Sequence, residues 1–134
     1  MTACNMNNEK IIKGSVGEEL TCKYLMSKGY RIAARNYRSK FGEIDIIAFN
    51  GQSIAFVEVK TRNENPLNRP CMAVNKNKRM RIMKTAYMYL QENKVNLIPR
   101  FDISEVYLMN NTHRLHHIDY MERAFIQEGD YADF

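Results

Sequence analysis

Two stretches decide the fold, GEIDII (residues 42–47) and FVEVKTR (residues 56–62). Both are rich in apolar, β-prone residues, but charges interrupt them at every second position: Glu43, Asp45, Glu58 and Lys60. Side chains two residues apart on a β-strand project to the same face of the sheet. A core strand does not normally carry charge there, because burying an unpaired carboxylate is costly. The pattern predicts two strands that gather their charges into a site on one face.

The dipeptide Asn50-Gly51 between these stretches predicts a two-residue type I′ hairpin turn, because both residues accept a positive φ. Phe49 would then face Gln52, and Glu43 would face Glu58. In that register Asp45 and Glu58 are diagonal neighbours, roughly 7–8 Å apart at the backbone and within joint reach of one ion.

The composition indicates a single domain with a real core, since the chain has 134 residues of which 45% are hydrophobic. No apolar run approaches the roughly 18 residues that span a membrane, and the polar N-terminus has no signal-peptide block. The three cysteines are widely spaced and form no Cys-x-x-Cys pair. This usage fits a reducing compartment, so we expect a cytoplasmic protein without a membrane partner.

The net charge of +5 is unevenly distributed along the chain. The segment from Lys60 to Lys84 holds eight basic residues and one acid. A polyanion is the natural partner of such a segment, because neutralising phosphates releases counterions. A solvated basic helix face would give the same charge pattern, so charge alone leaves both interpretations open.

Apolar periodicity and turn residues predict the order α-β-β-β-α-β-β, a two-layer α/β domain with a mixed sheet. Residues 1–13 are predicted as a flexible lead-in, 14–125 as one domain and 126–134 as an acidic tail. The two helices are expected at 14–28, where Gly29 stops the helix, and at 74–92. The strands outside the hairpin are expected at 30–37, 100–109 and 115–120, and a loop at 63–71.

The charged face has the chemistry of a magnesium site, with manganese as the alternative ion. Hard cations take one or two carboxylates and keep waters, and Asp45 and Glu58 meet that need, with the carbonyl of Val59 as a third ligand. Such a cation polarises a phosphate and lowers the pKa of a bound water. Lys60 would orient that water or neutralise the developing charge. Glu18, on the apolar stripe of the first helix, is a further candidate ligand, and Glu43 a secondary one at the rim.

Basic side chains around this face are candidate phosphate contacts, which position a strand without reading its sequence. They are Arg38, Arg62, Lys78 and Arg79. The structural alternative is a surface ion-pair network in which Lys60 and Arg38 neutralise the acids Glu43, Asp45 and Glu58. A glycosidase pair is a weaker alternative, since it does not require Lys60. The set His113, His116 and His117 is interpreted as an exposed cluster in preference to a zinc site.

Several motifs in a fixed order resemble the YraN family, from about residue 14 to 125. They are GE (17–18), GY (29–30), RNYR (35–38), GEIDIIA (42–48), FVEVKTR (56–62), Lys78 and RFD (100–102). This family is similar to archaeal Holliday-junction resolvases and belongs to the PD-(D/E)XK nuclease superfamily. The stretch Leu67-Asn68-Arg69-Pro70 departs from the family, which usually carries a Tyr-Gly-x-Pro-like loop there.

The resemblance implies a restriction-endonuclease-like αβββαβ core, with helices flanking a mixed central sheet. By motif, Asp45 and Glu58 match the metal-binding acids, Lys60 the catalytic lysine, and Glu18 the first-helix acid of the resolvase-like branch. The expected function is a magnesium-dependent endonuclease acting on DNA, with branched or junction structures as candidate substrates. A non-catalytic nucleic-acid-binding module is the alternative. Junction cleavage would require a symmetric homodimer.

Overall fold

The described residues form a mixed α/β fold of two helices and five strands. This computed structural model describes residues 3–63 and 75–125, with side chains from residue 8. The elements are α1 (Ala3–Ser27), β1 (Arg31–Arg38), β2 (Glu43–Phe49), β3 (Ser53–Asn63), α2 (Lys76–Glu92), β4 (Ile98–Leu108) and β5 (Leu115–Met121). The predicted element order is confirmed. The departing loop at 67–70, most of the predicted 63–71 loop and the predicted tail at 126–134 lie outside the described residues.

The five strands form one mixed sheet in the order β1-β2-β3-β4-β5. The β3–β4 pair is parallel, and the other three pairs are antiparallel. Helix α2 lies in the connection between β3 and β4, as parallel neighbours require. The strand that carries Glu58 and Lys60 therefore lies at the centre of the sheet.

The helices cover opposite faces of this sheet, so the predicted two-layer arrangement is wrong. Ile47 and Phe56 pack with α2, in a cluster that includes Ile82. Their chain neighbours on the opposite face, such as Ile46 and Val57, pack with α1. Both faces of β2 and β3 are apolar here, which is typical of strands buried on two sides. The domain thus has three layers, with the sheet in the middle.

Helix α1 begins at Ala3, well before the predicted start at Gly14. Residues 3–13 are therefore helical and continuous with the helix predicted at 14–28. Gly14 lies in the helix interior, where glycine is tolerated at a cost of about 1 kcal/mol relative to alanine. The predicted stop is confirmed, because Gly29 has a φ of +90° and its N–H donates to the Met26 carbonyl at 3.0 Å.

In the β2–β3 hairpin, four residues (50–53) lie between the last two paired residues, so the predicted two-residue type I′ turn is wrong. Phe49 pairs with Ile54, two residues away from the predicted register. The Asn50 side chain accepts the N–H groups of Gln52 at 2.9 Å and Ser53 at 2.8 Å. Gly29 is the one described glycine with a positive φ, so Gly51 has no such φ. Because the shift is two residues, the paired residues 46–49 keep their predicted faces. Ile44 departs from the predicted alternation, since it packs with Ile47 on the α2 face.

Candidate functional site

Asp45 and Glu58 lie where the β2–β3 ladder ends. The last backbone pair on this side is Ile46 with Val57, and these two acids are the next residues on their strands. Beyond that pair the Asp45 carboxylate takes the place of a backbone acceptor, since Asp45 Oδ2 accepts the Val59 N–H at 2.8 Å. Strand alternation puts both acids on one face, as predicted from the sequence, and in the structure α2 covers that face.

The surroundings of Asp45 oppose its ionisation and raise its pKa to about 7. Burial is the largest cause, and the negative charge of Glu58 is the second. The hydrogen bond from Val59 acts in the opposite direction, whereas Glu18 and Glu43 raise the pKa further. The two carboxylates thus repel one another in a partly desolvated position, and a cation placed between them would relieve that repulsion.

Glu58 is paired with a lysine from α2. Its side chain is only 10% exposed, and its Oε1 lies 2.5 Å from the Nζ of Lys78, whose side chain is 48% exposed. Lys78 is in the first turn of α2, where Asn75 caps the helix by accepting the Lys78 N–H at 2.8 Å. This cap starts α2 at Lys76, two residues later than predicted, and directs Lys78 towards the acids.

A cavity of about 460 Å³ opens between these acids and the N-terminal part of α2. Its acidic wall is formed by Glu43, Asp45 and Glu58, and its opposite wall includes Asn75, Asn77, Lys78 and Arg81. Gly42 allows the close approach of α2, because a Cβ at this position would lie 3.3 Å from the Cβ of Arg81. Arg81, Asn75 and Asn77 were not predicted as site residues from the sequence, since only the packing of α2 brings them here.

Glu18 does not line this cavity, because α1 packs on the opposite face of the sheet. Its carboxylate lies 3.6 Å from Arg35 and accepts a hydrogen bond from Asn36 at 3.2 Å. It remains close enough for its charge to contribute to the raised pKa of Asp45. The structure therefore brings Glu18 electrostatically near the acids but binds its side chain to β1.

Lys60 and Arg62 follow Glu58 on the same face of β3, beyond the cavity wall. In the parallel register, Lys60 pairs with Glu105 and Arg62 with Tyr107. The structure describes no ion pair between Lys60 and another residue in the ranges 3–63 and 75–125. Lys60 is thus a neighbour of the acids along the strand and not a partner of either one.

Glu105 is a buried acid that the sequence analysis missed. It is 1% exposed, its Oε2 accepts the Tyr107 hydroxyl at 2.8 Å, and its Oε1 has no partner among the described residues. An acid in the alternating apolar stretch of β4 was the available signal, because unpaired acids are rarely fully buried.

The remaining predicted phosphate contacts differ in their surroundings. Arg38 is 77% exposed and lies 3.6 Å from Glu43, as the ion-pair alternative expected. Such exposed pairs contribute little to stability. Arg79, in the first turn of α2, has a buried Nε without a partner among the described residues. Its guanidinium therefore retains donor capacity for a further group.

Two groups outside the cavity are tied into the fold. Asp102 is fully buried, binds both Nε and Nη2 of Arg100, and accepts the Tyr120 hydroxyl at 2.6 Å. It is a structural acid that joins β4 to β5. His117 stacks on Tyr107 at 4.4 Å between ring centres and lies 3.6 Å from Asp119.

The donors at the cavity suit a hard cation that keeps most of its waters. Within the described ranges, no three His, Cys, Asp or Glu side chains converge as a preformed metal cage. Magnesium does not need one, since one or two carboxylates, waters and substrate oxygens suffice. Asp45 and Glu58 would supply the carboxylates. The Val59 N–H points towards β2, and its carbonyl faces the same side because both groups of an extended residue point to one neighbouring strand.

No helix within the described residues is long and apolar enough to cross a membrane.

Comparison with known proteins identifies the family. Residues 17–106 match the sequence model of "Uncharacterised protein family UPF0102". A UPF0102 protein of Alkaliphilus oremlandii (strain OhILAs) is 45% identical over 88% of this chain and 99% of its own length. Relatives from Clostridioides difficile (strain 630) and Caldanaerobacter subterraneus are 46% and 42% identical, over 84% and 88% of this chain and 96% and 97% of their own lengths. The resemblance to YraN proteins is confirmed at this level. The chain belongs to the UPF0102 family.

Proposed function

We propose that this protein is a metal-dependent nuclease that hydrolyses phosphodiester bonds in DNA. The observation that carries the proposal is the pair Asp45 and Glu58, held side by side on the central strands with the pKa of Asp45 raised to about 7. The two repelling carboxylates would attract a cation, and the basic residues of the neighbouring helix α2 would attract a polyanion.

Each residue of the cavity has a role in this proposal. Asp45 and Glu58, with the Val59 carbonyl, would hold magnesium or manganese, and the bound cation would polarise the phosphate and lower the pKa of a water. Lys60 would stabilise the negative charge that develops on the phosphate, because an ammonium close to the reacting oxygens lowers the barrier. Glu18 would act through its charge on Asp45. Arg81 is added to the phosphate contacts predicted from the sequence, since it lines the cavity.

The element order and strand directions support a restriction-endonuclease-like core of the PD-(D/E)XK class. The acids lie on the second and third strands, and a parallel fourth strand follows a helix. The similarity to junction resolvases suggests branched DNA as a substrate. Cutting a four-way junction symmetrically would require two active sites, and therefore a homodimer.

The second candidate is a non-catalytic nucleic-acid-binding module. The ion pair of Lys78 with Glu58 favours it, because Glu58 already has a positive partner. The raised pKa of Asp45 argues for the enzyme, since a module that only binds phosphate gains nothing from a second, repelling carboxylate.

Cleavage of labelled duplex, single-stranded, flapped and four-way DNA with magnesium or manganese tests the proposal. We expect the wild type to cut at least one substrate, and Asp45→Asn and Lys60→Ala to lose most of that rate. Lys94→Ala, which changes an exposed lysine after α2, serves as the control and should cut normally. Cleavage that survives both active-site substitutions would refute the assignment of Asp45 and Lys60 as catalytic residues. Salt-sensitive binding without cleavage would favour the second candidate.

A further inference from the structure

We propose that Lys78 exchanges partners, pairing with Glu58 in the metal-free protein and with a nucleic-acid phosphate once a divalent cation occupies the acids. The inference rests on the proposed function and adds a regulatory property to the same site. Cation and nucleic acid would each promote binding of the other, because both depend on breaking one ion pair.

The ion pair has one buried end and one accessible end. Glu58 is 10% exposed, whereas Lys78 is 48% exposed and lies on the cavity wall. Lysine is a point charge on a flexible stem, so its ammonium can move without any movement of the helix. The backbone of Lys78 is fixed by the Asn75 cap at 2.8 Å. The backbone of Lys78 therefore stays in place, while its ammonium can swing from Glu58 into the cavity.

The cation and Lys78 compete for the same oxygen. Glu58 Oε1 lies 2.5 Å from the Lys78 ammonium, so a cation bound there would lose attraction to Glu58 unless the lysine leaves. Once released, the ammonium lies beside Arg81 on the cavity wall, where two positive charges attract a phosphate. The same exchange runs in reverse when a phosphate binds first and leaves Glu58 without its partner.

This competition makes a quantitative prediction from linkage. Either ligand binding alone must break the Lys78–Glu58 pair, but when both bind, the pair is broken only once. The factor in affinity that each ligand loses when it binds alone therefore equals the factor by which each ligand raises the affinity for the other. Replacing Lys78 with methionine removes the ion pair. The affinity for the cation should then rise by this factor, and the effect of the cation on DNA binding should fall by the same factor.

The first measurement is calcium binding by isothermal titration calorimetry without nucleic acid. Calcium serves as the probe because it binds the same oxygen ligands as magnesium. Lys78→Met should bind calcium about three- to tenfold more tightly than the wild type, a range set by the partial exposure of the pair. Lys84→Met is the matched control on the same helix, since Lys84 lies over the Phe41 ring and away from Glu58. Its calcium affinity should stay within about twofold of the wild type.

The second measurement is the binding of a labelled duplex by fluorescence anisotropy, with and without calcium at constant ionic strength. The tightening produced by calcium should be smaller in Lys78→Met than in the wild type, by the same three- to tenfold factor (about one decade at most). Lys84→Met should weaken duplex binding overall but keep the wild-type response to calcium.

Three results would overturn the inference. They are calcium affinity in Lys78→Met that is equal to or weaker than that of the wild type, an unchanged calcium response in duplex binding, and a wild type that binds no calcium. The inference and the nuclease proposal fail separately. If both shifts appear but the wild type cuts no DNA with magnesium, the coupling holds in a binding module and only the hydrolytic function is refuted.

Discussion

At the residue scale, the central feature is an aspartate whose pKa is raised to about 7. Burial and the charge of Glu58 cause the shift, in that order. An acid with a raised pKa binds its proton more tightly in the folded than in the unfolded chain. Its ionisation therefore costs stability as the pH rises from the unfolded pKa, about 4, to the folded pKa. A cation bound between Asp45 and Glu58 would offset this loss of stability, because it would neutralise the repulsion between the two carboxylates.

Asp45→Asn should therefore stabilise the metal-free protein at pH 8. We expect its free energy of unfolding to exceed that of the wild type by about 1–2 kcal/mol, because a neutral side chain replaces a repelled charge. The gain should shrink at pH 5, where Asp45 is largely protonated. Urea denaturation at both pH values measures it, with Asp119→Asn as a control at an exposed acid. A lower stability of Asp45→Asn at pH 8 would contradict the assigned electrostatics.

At the element scale, close packing of the helices on the sheet positions the acids. Gly17 brings α1 against β3, since a Cβ there would lie 2.0 Å from Thr61 Oγ1 and 3.4 Å from a Val59 methyl. Gly42 does the same for α2 at the cavity. The shared face of Asp45, Glu58 and Lys60 was predictable from strand alternation, which does not depend on the turn. The register was not, because the Asn50 side chain takes backbone N–H groups that a type I′ turn would leave to the strands.

Two glycines of α1 provide a matched test of this packing. Gly17→Ala should lower the free energy of unfolding by about 1–3 kcal/mol, because the new methyl group overlaps Thr61. Gly14→Ala, in the same helix with open space around it, should raise it by about 0.5–1 kcal/mol. Thermal and urea unfolding of both variants measures the difference. Equal effects of the two substitutions would show that α1 does not approach β3 as described.

At the scale of the whole molecule, the sheet that carries the candidate site residues lies between two helical layers. One charged face was predictable from the sequence, but three layers were not, because apolar runs such as Ile46-Ile47 are compatible with burial on either one or both sides. Lys78 was predicted as a phosphate contact, but its ion pair with Glu58 was not predictable, since that contact depends on how α2 packs. Glu105 was missed for a related reason, as its burial arises from pairing with β3 and β5.

The most direct test of the account compares two isosteric substitutions in one cavity. Glu58→Gln removes a proposed cation ligand, whereas Glu43→Gln removes an acid that lines the rim beside Arg38. Single-turnover cleavage of the best DNA substrate with magnesium should fall by about a thousandfold or more in Glu58→Gln, because losing a transition-state interaction of about 4 kcal/mol has that effect. It should fall only a few-fold in Glu43→Gln. Wild-type cleavage by a folded Glu58→Gln protein would contradict the claim that these acids form a nuclease site.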